Sequence, residues 1–375
     1  MDLRFLGLIL ILSACSEEPL RVKEVEGPQL PQGTIKRLVV ATSDFLTVGK
    51  LVVVESETGK RFEVPIHSDA IVRAPKGSDS LFVVNRLGAD NVQRVSKATG
   101  AVESQVSFSG VPHLQDVAVV SEEEAYLSSF VRASLYRVNV KTGQVLEEVS
   151  LLNKTTPEGI PVVDADGSPE LTWLHKVNGK LLIASQRLDA NAYYGPTEVS
   201  TLMVLDLASR QIEKIMKLTA TNPVTDFKTD SMSNIFVGEA SEMGMQPRLD
   251  GGIERIDGTN FVPSGLVIRE EALGGDILDF EMLGPNLAVA SVSVLGEVRL
   301  VSFDPSTGVL LRTVASGKGF TFQSLALDRE RKLLYVADRL ETAPSIRVFD
   351  SEALIEKPDL KVNLTLPPYH LVLTD

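Results

Sequence analysis

Leu135-Tyr-Arg-Val-Asn-Val-Lys-Thr-Gly-Gln-Val145 is the stretch on which the fold turns. Its first half reads as a short β-rich strand, and a Thr-Gly turn separates it from a second strand opening at Val145. Asn139 stands four residues before Gly143, placed to accept N–H bonds from the turn, and glycine supplies the positive φ that closes it. The same punctuation recurs at Thr58-Gly59, Thr99-Gly100 and Thr307-Gly308, with weaker equivalents at Ser209-Arg210, Gly258-Thr259 and Ala353-Leu354. Where no long loop intervenes the interval is about 41 to 50 residues. Six of these seven turns carry a polar residue four positions ahead of the glycine site: Glu55, Ser96, Asn139, Asp206, Asp304 and Asp350.

Working outward, a short strand precedes each turn and another follows it. A third, mostly apolar strand lies upstream (38–41, 81–84, 125–128, 181–184, 235–238, 287–290, 333–337). A fourth opens each unit after a polar link (69–74, 116–120, 171–177, 224–228, 277–283, 322–327). Repetition at this period implies an array of like units. Only six opening strands precede their partners, whereas Tyr369 to Leu373 (YHLVL) is spare at the C-terminus. Closing a ring with that strand removes the exposed edges of an open array. The expected fold is all-β: a seven-bladed β-propeller of four-stranded antiparallel blades, closed by a C-terminal strand that completes the first blade. Six blades is the alternative. The outer strand of the last unit is expected at 361–366.

The units resemble the seven-bladed propellers with YVTN or lactonase-like repeats, in which an LYVAN-like strand leads into V-x-V-x-D-x-x-T-G. The residues nearest that pattern are Leu325-Ala-Leu-Asp-Arg-Glu-Arg-Lys-Leu-Leu-Tyr-Val-Ala-Asp338 and the 135–145 stretch. The resemblance covers residues 35–375, but its motifs encode blades, and lactonase activity does not carry over residue by residue. The family's Asp-Gly between the first two strands is replaced by Ser121-Glu-Glu-Glu124 or Asp328-Arg-Glu-Arg331.

The N-terminus carries an address. Phe5 to Leu12 (FLGLILIL) is apolar but far shorter than the roughly 20 residues that span a bilayer, and with Arg4 ahead of it marks an export signal. Leu12-Ser13-Ala14-Cys15 resembles the lipobox of bacterial lipoprotein signal peptides, which implies cleavage before Cys15 and acylation of its thiol. Cys15 is the chain's one cysteine. Ser16 lacks the aspartate read in such lipoproteins as inner-membrane retention, which implies the periplasmic face of the outer membrane. The expected organisation is a signal peptide (1–14), a lipidated flexible tether (15–34) whose glutamates, prolines and glycines cannot bury a core, and a propeller (35–375).

A net charge of −13 argues against nucleic acid as a partner. The chain is expected to be a monomer that meets the membrane through its lipid and possesses an envelope protein or small solute as partner. The long insertions, at 152–170, 188–199 and 242–251, fall on one face, with the links between blades. Loops of that length are commonly functional. They carry Tyr193, Tyr194, Met243, Met245, Arg248 and Asp250, with Trp173 near by, residue types enriched at interface centres. Asp69, Asp116, Asp226 and Asp279 begin the inner strands of four blades and are expected at the channel mouth, facing Arg86, Arg187 and Arg339; pairing between them is the simpler expectation, cation binding the alternative. His67, His113 and His370, with His175, are weak metal candidates, because they lack tight ligand spacing. No Gly-x-Ser-x-Gly elbow or phosphate-cradling loop occurs, so no catalytic residue and no cofactor is assigned. The favoured function is a lipid-anchored binding or scaffold module using the loops of blades three to five. A lactonase-like or metal-dependent hydrolase at the channel mouth is one rival, and a factor in outer-membrane protein assembly another.

Overall fold

Val39, Val40 and Ala41 follow one another in the strand Arg37–Ser43 and none touches water. A strand without polar alternation must be covered on both faces, and here each face meets a neighbouring blade. The outermost strands Val102–Ser107 and Val145–Ser150 alternate instead between half-buried and exposed. In this computed structural model the described residues are 36–374 apart from 56–57 and 243–246, together with the backbone of Val25 and Glu26. Cys15, the signal segment, the rest of the tether, Met243 and Met245 lie outside them.

The chain forms seven four-stranded antiparallel blades in a ring. The inner strand of the first blade is Pro368–Leu373, which pairs with Arg37–Ser43 in the register Leu38 with Leu373, Val40 with Leu371 and Ala41 with His370. The apolar core is correspondingly divided into seven clusters, one in each seam between blades. The seam between the last blade and the first holds Leu38, Val40 and Val52 against Tyr335, Ile346 and Leu371. No seam is left open, which is why the ring needs no other closure.

All seven outer turns obey one rule, including the one that the sequence spacing placed wrongly. In the fifth blade the left-handed residue is Phe261 (φ 59°), not Thr259, and its N–H donates to the carbonyl of Asp257 four residues back. The Asp257 carboxylate accepts from the N–H groups of Thr259 and Asn260, both at 2.9 Å. Gly258 is required for a different reason: a Cβ there would lie 1.8 Å from the Ser233 carbonyl oxygen.

Two strands are shorter than expected. The inner strand of the fifth blade pairs regularly only over Lys228–Thr229. Ahead of it the Thr225 hydroxyl takes the Gly238 N–H at 2.7 Å, so a side chain replaces a ladder bond. The outer strand of the seventh blade is reduced to Val362–Asn363. Within the tether, Val25–Glu26 adds a fifth strand to the first blade, opposite Arg61 and Lys60. Among the described residues no helix is long and apolar enough to cross a membrane.

Candidate functional site

Side chains alternate along a strand, so residues two and four places from a channel aspartate are also candidates for the axis. Arg73, four residues after Asp69, lies at the centre of the ring. Its Nε and Nη2 donate to the two carboxylate oxygens of Asp116 at 2.7 and 2.5 Å, and its Nη1 to Asp226 from across the channel. Asp116 is fully buried and also accepts the N–H of Val117 (2.6 Å) and of Leu174 in the next blade (2.8 Å). The Arg73 guanidinium sits 5.5 Å from the ring centre of Trp173, which lies nearly parallel to His370. Burial pushes the His370 imidazole down to about 3, and the Arg73 charge adds to the shift. The neutral ring accepts the Val72 N–H at Nδ1. Burial lifts the Asp226 carboxyl, but the Arg73 charge and hydrogen bond overcome it and hold the group below its ordinary value. This cluster divides the channel into two funnels.

The upper funnel, on the loop-bearing side, encloses about 400 Å³. Gln115, Gln186, Gln323, Arg86 and Arg339 line it with Phe45, Trp173 and Tyr369. At its base Lys228 is paired with Glu281 at 3.0 Å and Asp279 at 3.3 Å. Asp279 repeats the habit of Asp116, taking the N–H of Phe280 and that of Leu325 in the following blade. Arg86 pairs with Asp69 at 2.5 Å. Arg339 differs: it donates to the neutral Gln323 carbonyl at 2.8 Å and lies 4.2 Å over the Phe45 ring, with no carboxylate in ion-pair range among the described residues. The lower funnel encloses about 360 Å³ beside Lys76, His175 and Lys176.

The structure brings Asp69, Asp226, Asp279, Arg86 and Arg339 to one cavity, whereas Asp116 lies buried beneath it. Arg187 does not belong there. The N–H groups of Arg86, Gln186 and Arg339 each donate to the residue ahead of the inner strand (Asp69, Glu170 and Thr321), so Gln186 is the positional equivalent of the two arginines. Arg187, one residue on and at φ 52°, turns away to the Val199 carbonyl. Trp173 faces the channel rather than the loops. His370 alone of His67, His113 and His370 lines the upper funnel. His67 folds back on the backbone of Asp69, and no group of three or more metal-ligating side chains gathers among the described residues. Arg73, Lys228 and the three glutamines were missed, although the strand period from Asp69 and Asp226 reaches the first two.

Around the funnel mouth stand the loops between second and third strands and the links between blades. Of the 17 exposed large apolar or aromatic side chains among the described residues, ten are on this face: Phe45, Leu46, Val48, Leu87, Leu152, Tyr193, Tyr194, Leu295, Phe320 and Leu340. Three, Met232, Val262 and Ile355, are on the opposite face, and four are on outer strands. Tyr193 is 98 % exposed, and Tyr194 rests against Phe130 with ring centres 5.6 Å apart. The two loops of the fourth blade are tied together by carboxylates: Asp166 takes the Ala190 N–H and Glu170 the Leu188 N–H. Arg248 is held to Glu242 at 2.8 Å, and Asp250 accepts from the Ser241 hydroxyl.

No protein-family model matches the chain, and no curated protein matches its sequence. Among solved structures it is similar in fold to apo AztD from Citrobacter koseri, with a TM-score of 0.57 at 11 % identity over 92 % of this chain and 98 % of that one. It is also similar to a candidate 6-phosphogluconolactonase from Bacteroides fragilis, with a TM-score of 0.58 at 13 % identity over 92 % and 100 % of the two chains. A looser likeness is to BamB from Moraxella catarrhalis, at 0.44 and 14 % identity over 80 % and 81 %. At the 11 % and 13 % identity of the first two, what is shared is the propeller fold.

Proposed function

We propose that the chain is a cell-envelope module anchored by lipid at Cys15 that works by binding, with the loop-bearing face as its interaction surface. The observation that supports this reading most is the asymmetry of exposed apolar side chains, ten on that face against three on the other. Concentrations of exposed apolar surface mark interaction sites in soluble proteins. The channel chemistry supports binding over catalysis, because Arg73, Arg86 and Lys228 are each already neutralised by carboxylates. A photo-cross-linking side chain installed in cells at Tyr193 or Leu87, and separately at Met232 or Ile355, tests the face. Adducts are expected from the first pair; equal yields from both pairs would remove the reading. Fatty-acid labelling that survives Cys15→Ala would remove the anchor.

Arg339 favours a second reading, in which the upper funnel takes a small solute bearing a carboxylate or phosphate. A partly buried cation with no carboxylate in contact is costly; the charge of Glu341 offsets only part of the effect of burial on Arg339, and an anion entering beside Phe45 would supply a direct partner. Thermal stabilisation by small carboxylates or phosphates that vanishes in Arg339→Gln is the expected result.

A further inference from the structure

We infer that the loop-bearing face docks flat on the lipid leaflet that holds the anchor, its loop tips entering the headgroup layer. This rests on the anchored-module reading above and names the surface which that module meets. The apolar tips are spread around the ring: Leu46, Leu87, Tyr193, Leu295 and Leu340 come from the first, second, fourth, sixth and seventh blades. A globular partner covers one sector of such a ring, whereas a flat surface meets all of it. Two of the exposed tips also sit on unusual backbone, since Leu87 and Tyr193 adopt φ of 47° and 57°. Bulky residues rarely occupy that region unless the surrounding structure imposes it.

The direction of the tether agrees. Lys60–Ile66 runs from the Thr-Gly turns toward the loop-bearing face, and Val25–Glu26 lies antiparallel against its start. Val25–Glu26 therefore runs away from the loop-bearing face. Ten residues separate Cys15 from Val25, a reach of at most about 36 Å. The blade edge from Arg61 to Ile66 spans about 17 Å, so that length is enough for the anchor to reach the loop-bearing face with up to about 20 Å to spare. With a net charge of −13, the module fits a zwitterionic leaflet, and anionic lipid should weaken docking.

The test uses the full lipidated protein in vesicles of phosphatidylethanolamine and phosphatidylcholine. Once Cys15 is acylated, an introduced cysteine is the one reactive thiol, so a polarity-sensitive dye can be attached at Leu46→Cys or Leu340→Cys, and for the opposite face at Met232→Cys or Ile355→Cys. The expected result is severalfold stronger quenching by nitroxide lipid, and weaker quenching by aqueous iodide, at positions 46 and 340 than at 232 and 355. Replacing Leu87, Leu295 and Phe320, three other exposed tips of that face, together with serine should abolish that difference while the protein still floats with the vesicles. Equal quenching at all four positions overturns the docking alone. Protection at 46 and 340 in native envelope membranes but not in vesicles also overturns it, because a protein then covers the face. A second reactive thiol shows that Cys15 is free and overturns the anchored-module reading together with the docking.

Discussion

Replacing Arg73 with methionine keeps most of the side chain's apolar volume in the channel and removes the charge shared by Asp116 and Asp226. Asp116 is fully buried, and Arg73 itself is 14 % exposed at its side chain, so water screens this site weakly. Removing one partner of a buried ion pair costs about 3–5 kcal/mol, because the remaining charge is left uncompensated. Unfolding entropy of about 2 cal/mol/K per residue over about 340 residues gives about 0.7 kcal/mol/K. The melting temperature should therefore fall by about 4–7 °C. The loss should depend on pH with a definite sign. Without Arg73 the Asp226 carboxyl rises above its ordinary value and that of Asp116, which burial already holds high, rises further, so the folded state binds protons more readily than the unfolded chain. Stability of the variant consequently falls as pH rises through and above the carboxylate range, and its gap from wild type widens between pH 5 and pH 8. Adding Asp116→Asn and Asp226→Asn should narrow the gap. Scanning calorimetry at the two pH values decides it: a gap below about 1 °C that ignores pH would refute the electrostatic account of the cluster.

Deleting residues 368–375 removes the inner strand of the first blade and exposes the edge of Arg37–Ser43; aggregation or loss of cooperative melting is expected, and a stable monomer on sedimentation would contradict ring closure. His370, at about 3 when folded against 6.5 in the unfolded chain, binds its proton first in the unfolded state, so wild type loses stability as pH falls below 6.5. The variant His370→Asn should flatten that acid limb in urea titrations. Burial pushes Glu170 up to about 7 from 4.5, the opposite sign: its contribution is present at low pH and is lost as pH rises from 4.5 to 7. Relative to wild type, Glu170→Gln should therefore gain stability between pH 5 and pH 8, by at most about 3 kcal/mol. Gly258→Ala should destabilise far more than Gly284→Ala, since the first Cβ meets the Ser233 carbonyl and the second meets open space at an ordinary φ.

The blade count was legible because the signals are local. A Thr-Gly turn needs only its own five residues, and an all-apolar strand such as 38–41 announces cover on both faces wherever it lies. The turn of the fifth blade was misplaced because Phe261 adopts the left-handed conformation that glycine takes elsewhere; Asp257, four residues earlier, was the usable signal. Asp69, Asp226 and Asp279 were brought to the channel by strand position alone.

Their partners were not legible. Arg73 and Asp226 are 153 residues apart, and they meet because inner strands from different blades converge on one axis. Nothing in either segment records the angle at which the other arrives. A one-residue difference in turn geometry sends Gln186 into the funnel and Arg187 out of it, although this loop reads x-Arg-Leu like those of Arg86 and Arg339. The sequence by itself determined the repeat, the turn chemistry and the strand that closes the ring, because the first two depend on neighbours along the chain and the third follows from counting the units. Only the tertiary structure decided which charges neutralise one another, which cation is left over, and which face carries the apolar tips, because those follow from seven separate strands meeting in space.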